Sequence, residues 1–286
     1  MKKISYLFYK FLRFINLFFK ILKRDGILIW FNDFINKDFY MTKDIAKEKV
    51  TFFIPNQITK WRVDTLFSKE PETIEWIDNF HKTNDRIIFW DIGANIGLYS
   101  IYAAKIHKNI EIVSFEPSTS NLRILSRNIS VNNLNEKISI CQLPIGVNTN
   151  TNLVMHESEF KEGWSMNTFG EPTNYEGKFF EAKQTYRLYG TSIDYLFINK
   201  IYRAPNYLKI DVDGIEDKIL QGGIKVLLDS NLKSISVELN ENFKSQFEKV
   251  KELMKHYKFE FKQKRHADFY DNDKKFSKVY NYIFER

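Results

Sequence analysis

The sequence has a single cysteine, Cys141, so no disulfide can form within the chain. The apolar run around it (Ile138, Ile140, Leu143) reads as a strand in which the thiol is a small buried hydrophobe. Histidine is scarce, 5 in 286 residues. His156 is expected to face a ligand, whereas His81, His107, His256 and His266 read as surface residues. No apolar run approaches the roughly 18 residues of a membrane span, because Lys10, Arg13 and Lys20 interrupt the N-terminal one. The same stretch lacks the clean apolar core and small-residue cleavage site of a signal peptide. Most of the chain also lacks surplus charge. Of 43 basic residues, seven (Lys2, Lys3, Lys10, Arg13, Lys20, Lys23, Arg24) fall within residues 1–24, which hold no acid, leaving 36 against 36 acids. A general nucleic-acid binder spreads basic charge over its folded surface. With no Asn/Asp-Pro-Pro-Tyr/Phe base-methylation motif either, no nucleic-acid partner is expected. Internal repeats and low-complexity tracts are absent.

What is present is a chain long enough for one large α/β domain with an attached segment, and rich in aromatics (26 Phe, 15 Tyr). Residues 3–24 read as an amphipathic helix with Gly26 as its stop. Its basic residues fall within an arc of about 160°, and Ile4, Leu7, Phe8, Phe11, Phe14, Ile15, Phe18, Phe19 and Leu22 fill the other side. Such a helix lies on an anionic membrane or packs on the domain or a partner subunit; the concentrated charge favours the membrane. The expected organisation is therefore a basic-aromatic helix at 1–26, an N-terminal subdomain at 27–85, and a nucleoside-binding domain at 86–286. Within the second, Val50 to Ile54 resembles a strand, and Pro71 opens a helix after Glu70.

From residue 86 the pattern alternates strand and helix, the signature of a parallel sheet. Ile87–Ile92 is a continuous apolar run of the kind buried on both faces. Ile110–Phe115, Ile138–Leu143, Tyr207–Ile210 and Ile235–Leu239 follow as strands, with helices expected at 97–106, from 118 or 120 to about 131, at 215–228 and at 241–256. Two late strands, Phe259–Phe261 and Val279–Phe284, lack a long helix between them, so the last should be antiparallel. Residues 147–190 break the alternation and are expected to form a β-rich flap.

Two features carry chemistry. Asp91-x-Gly93-x-x-x-Gly97 sits at a strand–helix turn, where glycines let a ligand approach the backbone and helix N–H groups. Its spacing differs from the dinucleotide G-x-G-x-x-G, and the acid before it would oppose a pyrophosphate but tolerate a ligand with an ammonium and a positive sulfur. Glu116, ending the next strand, is placed to accept hydrogen bonds from ribose hydroxyls.

Together with Phe115-Glu116-Pro117, Asn128, Asn132-Asn133, Leu208–Glu216 and Leu220-Gln221-Gly222, the segment Phe89–Gly97 resembles the FkbM family of methyltransferases over roughly residues 50–285. Asp213 departs from the usual Glu of that pattern, and the basic N-terminus lies outside it. The resemblance implies a class I, Rossmann-like methyltransferase fold with a seven-stranded, mostly parallel sheet and helices on both faces. It implies S-adenosylmethionine as cofactor and O-methylation as activity. Glu70, Asp91, Gly93, Asn95, Gly97, Glu116, Pro117 and Ile145 are the expected cofactor-binding residues.

The chain looks most like bacterial surface-polysaccharide enzymes, which implies a sugar acceptor such as the terminal perosamine 2-hydroxyl of O-antigen, reached from the cytoplasmic side of the inner membrane. A small-molecule or lipid-linked intermediate, methylated on O or N, is the alternative. A sugar hydroxyl is weakly acidic, so a positioned base is expected. Asp211, ending one strand, is the first choice and Glu238, ending the next, the second, with Lys209 beside them. Asp213, Asn240, His156, Trp164 and Ser165 are expected to meet substrate. No metal is expected, although oxygen ligands from Asp211, Glu238 and Asn240 would suit Mg²⁺. The oligomeric state is not legible.

Overall fold

A computed structural model describes residues 1–24, 26–80 and 86–286. His81 and Asp85, one read as a surface residue and the other as a domain boundary, lie outside these.

The elements in chain order are α1 (Lys2–Ile21), α2 (Ile27–Ile35), β1 (Tyr40–Ile45), β2 (Glu48–Phe53), α3 (Gln57–Asp64), α4 (Pro71–Asp78), β3 (Ile87–Ile92), α5 (Leu98–Ile106), β4 (Ile110–Phe115), α6 (Thr119–Val131) and β5 (Ile138–Cys141). Then come β6 (Thr151–Glu157), β7 (Asn167–Phe169), β8 (Gln184–Gly190), α7 (Ile193–Ile198), β9 (Tyr207–Ile210), α8 (Glu216–Gln221), α9 (Ile224–Leu228), β10 (Ser234–Asn240), α10 (Lys244–His256), β11 (Glu260–Arg265) and β12 (Val279–Glu285). Among the described residues the main sheet has seven strands in the order β11-β12-β10-β9-β3-β4-β5. The five from β10 to β5 are parallel; at the β10 edge β12 runs antiparallel to them, and β11 pairs antiparallel with β12. This is the expected seven-stranded Rossmann-like architecture. The chain leaves β3 toward β4 and β5, then returns to β9 on its other side. The carboxyl end of β3 is thus the switch point where open α/β sheets bind ligands.

Alternation along the strands explains why β3 reads as one apolar run. Ile87 and Phe89 enter a core beneath one face, and Ile88, Trp90 and Ile92 enter a second core on the other. The first core is roofed by α5, α6 and residues of the N-terminal segment: Phe52, Phe53, Val63, Trp76 and Phe80 pack in it beside Phe89. Phe80 stacks on Tyr207 at 3.8 Å. Residues 45–80, placed by the sequence in a separate subdomain, therefore share one core with the sheet. The second core lies under α8, α9, α10 and the flap, which contributes Met155 and Phe169. The flap is a three-stranded antiparallel sheet, β7-β6-β8.

Several boundaries differ from expectation for local reasons. The 215–228 helix breaks at Gly222-Gly223 into α8 and α9; the close approach of the Gly146 carbonyl, 2.3 Å from where a Cβ would stand, requires glycine at 222. The N-terminal helix ends at Ile21, and Gly26 does not stop it but opens α2 from the left-handed region (φ 112°). The structure adds α3, which no periodicity announced. It is held by Asn56, whose side chain accepts from the Ile58 and Thr59 amides in a capping box. Cys141 is buried, as expected.

Candidate active site

A cleft opens beyond the carboxyl ends of β3, β4, β9 and β10 and is closed by the flap. Gly93, Asn95, Glu116, Pro117 and Ile145 line it, as do Asp211, Asp213, Glu238, Trp164 and Ser165. The turn after β3 is shaped for close approach. Gly93 has φ 89°, and a Cβ there would meet the Asp211 carbonyl oxygen at 1.8 Å. Asn95 follows in the left-handed region at φ 51°.

Glu116 is buried and ties this turn to the next helix. Its carboxylate accepts from the Asn95 amide at 2.8 Å and the Ser118 amide at 2.9 Å. Burial pushes its proton affinity up to about 7, against those two donors. Each carboxylate oxygen keeps a second lone pair, so two ribose hydroxyls can still be accepted.

Other expected cofactor residues lie beneath the cleft. Asp91 accepts from Ser100 Oγ at 2.6 Å under α5, and burial raises its pKa. Gly97 seats α5, where a Cβ would strike Leu125 at 2.5 Å. The Oδ1 atoms of Asp91 and Asn95 are buried with no partner. Unpaired buried acceptors beside a glycine cradle fit a ligand that brings donors, as the amino acid end of S-adenosylmethionine does.

The β9–β10 side carries the charge. Strand alternation puts Asp91, Lys209 and Glu238 on the face of the first core, with Asp91 and Lys209 in register. Lys209 does not face the cleft: it is 1% exposed and donates to Asp211 Oδ2 at 2.7 Å, with Glu70 Oε2 at 3.9 Å. Those two carboxylates hold its ammonium above the ordinary lysine range in spite of burial. Glu70 also pairs with Lys69. Burial alone would raise its pKa, but Lys69 and Lys209 together bring it to about 2. Glu70, expected at the cofactor, is thus the anchor of a lysine–carboxylate cluster below the glycine turn. Burial first, and the Asp211 charge second, push Glu238 well above the ordinary carboxylate range. Burial likewise lifts Asp213 to about 6.

Oxygens of Glu70, Asp211 and Glu238 lie within 4.8 Å of one another, the carboxylate set nearest to a cation site. Asn240, the expected third ligand and a substrate contact, is elsewhere. Its amide donates to the Tyr175 carbonyl at 3.2 Å, and its Oδ1 accepts from the Asn242 amide. Asn240 ends β10 on the same strand parity as Glu238, but its side chain is taken up by the Tyr175 carbonyl and by the turn that follows the strand. His156, expected at the substrate, bonds the Gly170 carbonyl at 3.0 Å within the flap. Met155, its neighbour with the opposite strand parity, reaches the cleft instead.

The flap is fastened over the glycine turn through its backbone. The Trp164 carbonyl accepts from Asn95 Nδ2 at 3.0 Å and Asn121 Nδ2 at 3.2 Å. Arg62 donates to the Gly163 carbonyl, and the Met166 amide donates to Asp213 Oδ2 at 2.6 Å. Asp213 therefore binds the flap with one carboxylate oxygen. The Trp164 indole donates to Ser158 at 2.8 Å.

Sequence reasoning missed a wall of the cleft built by Tyr175 and by the connection from β11 to β12. Tyr175 stacks on Phe276 at 5.4 Å, Phe276 meets Tyr270 edge-on at 5.7 Å, and His266 stacks on Tyr280 at 4.1 Å. All five line the cleft, so His266 is not the surface residue expected. Tyr175 and Tyr270 line the same cleft as Glu238 and Asp213. Trp61, Arg62 and Lys69 complete that end. Aromatic density after residue 265 was the available signal.

Residues 91–261 match the model of the methyltransferase FkbM domain. No curated protein matches the chain. Among solved structures, it is similar to a precorrin-6y C5,15-methyltransferase from Geobacter metallireducens at 11% identity, covering 76% of this chain and 86% of that one with TM-score 0.44. It is also similar to the tRNA methyltransferase TrmK of B. subtilis at 13% identity, covering 76% and 65% with TM-score 0.43.

Proposed function

The chain belongs to the FkbM methyltransferase family and is an S-adenosylmethionine-dependent methyltransferase; from that premise we propose that it methylates a sugar hydroxyl of a bacterial surface polysaccharide, with the terminal perosamine 2-hydroxyl of O-antigen as the leading acceptor. The observation that carries the sugar reading is the aromatic wall of Tyr175, Tyr270, Phe276 and Tyr280 in the same cleft as Glu238. Aromatic faces with polar rims offer a sugar ring an apolar platform while their hydroxyls meet its own.

S-adenosylmethionine, when bound, supplies a methyl group on a positive sulfur open to in-line attack. Gly93 and Asn95 admit its backbone-like end, Glu116 accepts its ribose hydroxyls, and Ile145 offers an apolar contact to its base. Between the two expected bases the geometry favours Glu238. Asp211 already accepts from the Lys209 ammonium, so its lone pairs are poor at taking another proton. Glu238 has raised proton affinity, through burial and the Asp211 charge, in spite of the Lys69 charge nearby. It would take the acceptor hydroxyl proton as the methyl moves, while Lys209 and Glu70 hold Asp211 in place. Lys69 and Lys209 pair with Glu70 and Asp211, two of the three carboxylates that a divalent cation would need, which supports a metal-free reading.

The test is incubation with methyl-labelled S-adenosylmethionine and a panel of unmethylated lipopolysaccharides, nucleotide sugars and small hydroxylated acceptors. Label is expected in the polysaccharide, and in a perosamine-terminated one above others. Label confined to small acceptors would overturn the polysaccharide reading in favour of a small-molecule methyltransferase.

A further inference from the structure

Among the described residues, α1 and α2 bury no side chain. They fold against each other: Gly26 reverses the chain, and the Leu28 amide donates to Asn16 Oδ1 at 3.3 Å, joining the start of α2 to the later half of α1. Away from that junction, Phe8, Phe11, Phe14 and Phe18 of α1 and Trp30 and Phe34 of α2 are 56–70% exposed. On α1 the four phenylalanines recur at three- and four-residue spacing and form a single stripe. The lysines and arginines of α1 occupy the opposite arc, with no acid among them. No described helix is long and apolar enough to cross a membrane.

We propose that α1 and α2 together form a helical hairpin that lies in the surface of an anionic bilayer, with the phenylalanine stripe, Trp30 and Phe34 at the acyl boundary and the basic arc of α1 at the headgroups. The sequence suggested one helix for this role; the hairpin makes the apolar α2 half of the contact. Charge selects the occupant. A second copy seated on this surface would set the five basic residues of its α1 against the same five. Anionic headgroups neutralise the arc while the apolar stripe leaves water. Trp30 suits the boundary because its ring is apolar and its N–H needs a polar partner. The inference stands apart from the choice of acceptor, since it uses no residue of the cleft.

The full-length protein should pellet with vesicles of phosphatidylethanolamine and phosphatidylglycerol and far less with phosphatidylcholine alone. The double substitutions Phe11→Asp/Phe14→Asp and Trp30→Asp/Phe34→Asp should each weaken this binding by about tenfold or more, because they put charge into the apolar boundary. Lys10→Gln/Arg13→Gln should weaken it less and make what remains less sensitive to salt. Cofactor affinity reports that each variant is folded. Failure to pellet with anionic vesicles, or equal binding to neutral ones, would overturn the proposal. Unchanged binding by the Trp30/Phe34 variant would reject the hairpin, and a dimer in light scattering that the Phe11/Phe14 variant dissolves would assign the surface to a second copy.

Discussion

The two sides of β3 serve the cleft in different ways. Toward β4, the site is made of short-range parts: Gly93 and Asn95 in one turn, and Glu116 at the end of the adjacent strand, all within 24 residues and linked by backbone hydrogen bonds. Toward β9 and β10, it is made of parts far apart in the chain. Glu70 precedes α4, Lys209 and Asp211 end β9, Glu238 sits in β10, and Tyr270 and Phe276 come from the final connection. The first side holds one acid, engaged by amides. The second holds several carboxylates against two lysines, and their balance sets which carboxylate accepts a proton. On the proposed reading, recognition of the cofactor rests on local backbone shape, and chemistry on long-range electrostatics.

That division can be broken by substitution. Glu238→Gln should have the largest effect, lowering kcat by about 10²–10⁴-fold, the usual contribution of a general base. Its cofactor affinity by calorimetry should not move; retained turnover would return the base assignment to Asp211. Glu116→Ala should do the reverse. Two hydrogen bonds to a charged carboxylate at about 1.5 kcal/mol each come to on the order of 100-fold in cofactor affinity. An unchanged dissociation constant would remove Glu116 from the ribose.

The smallest effect sharpens the comparison through pH. Ribose hydroxyls donate, so binding favours the ionised Glu116 and disfavours the protonated one. With its pKa held near 7, cofactor affinity should rise with pH, by up to about tenfold from pH 6 to 8. It should flatten in Glu116→Gln. A wild-type affinity that instead falls as pH rises would contradict the sign.

The parts legible in the sequence were those encoded by neighbours. The apolar run Ile87–Ile92, the glycines after it and the acid at Glu116 carry their meaning within one strand–turn–strand unit, and the family pattern extends it to Asp211. Asp211 and Glu238 were found because each ends a strand whose position in the sheet follows from alternation. Asn240 and His156, expected at the substrate, are engaged by the Tyr175 and Gly170 carbonyls instead; in the flap one residue decides which face a side chain takes, and Met155 lines the cleft where His156 does not. The burial of Lys209 was hidden for a related reason: a lysine in a strand reads as polar rim until a partner such as Asp211 permits its burial.

By itself, the sequence determined the parallel sheet, the nucleoside-binding turn, the flap as an insertion and the segregation of net charge at the N-terminus, because each depends on periodicity or composition within a short span. Only the tertiary structure decided that residues 45–80 roof the sheet, that Glu70 meets Lys209, that Tyr270 and Phe276 line the same cleft as Glu238, and that α2 folds back on α1. Those are contacts between residues tens to hundreds of positions apart. Their energies come from burial and from charge at close range, and no local pattern records either.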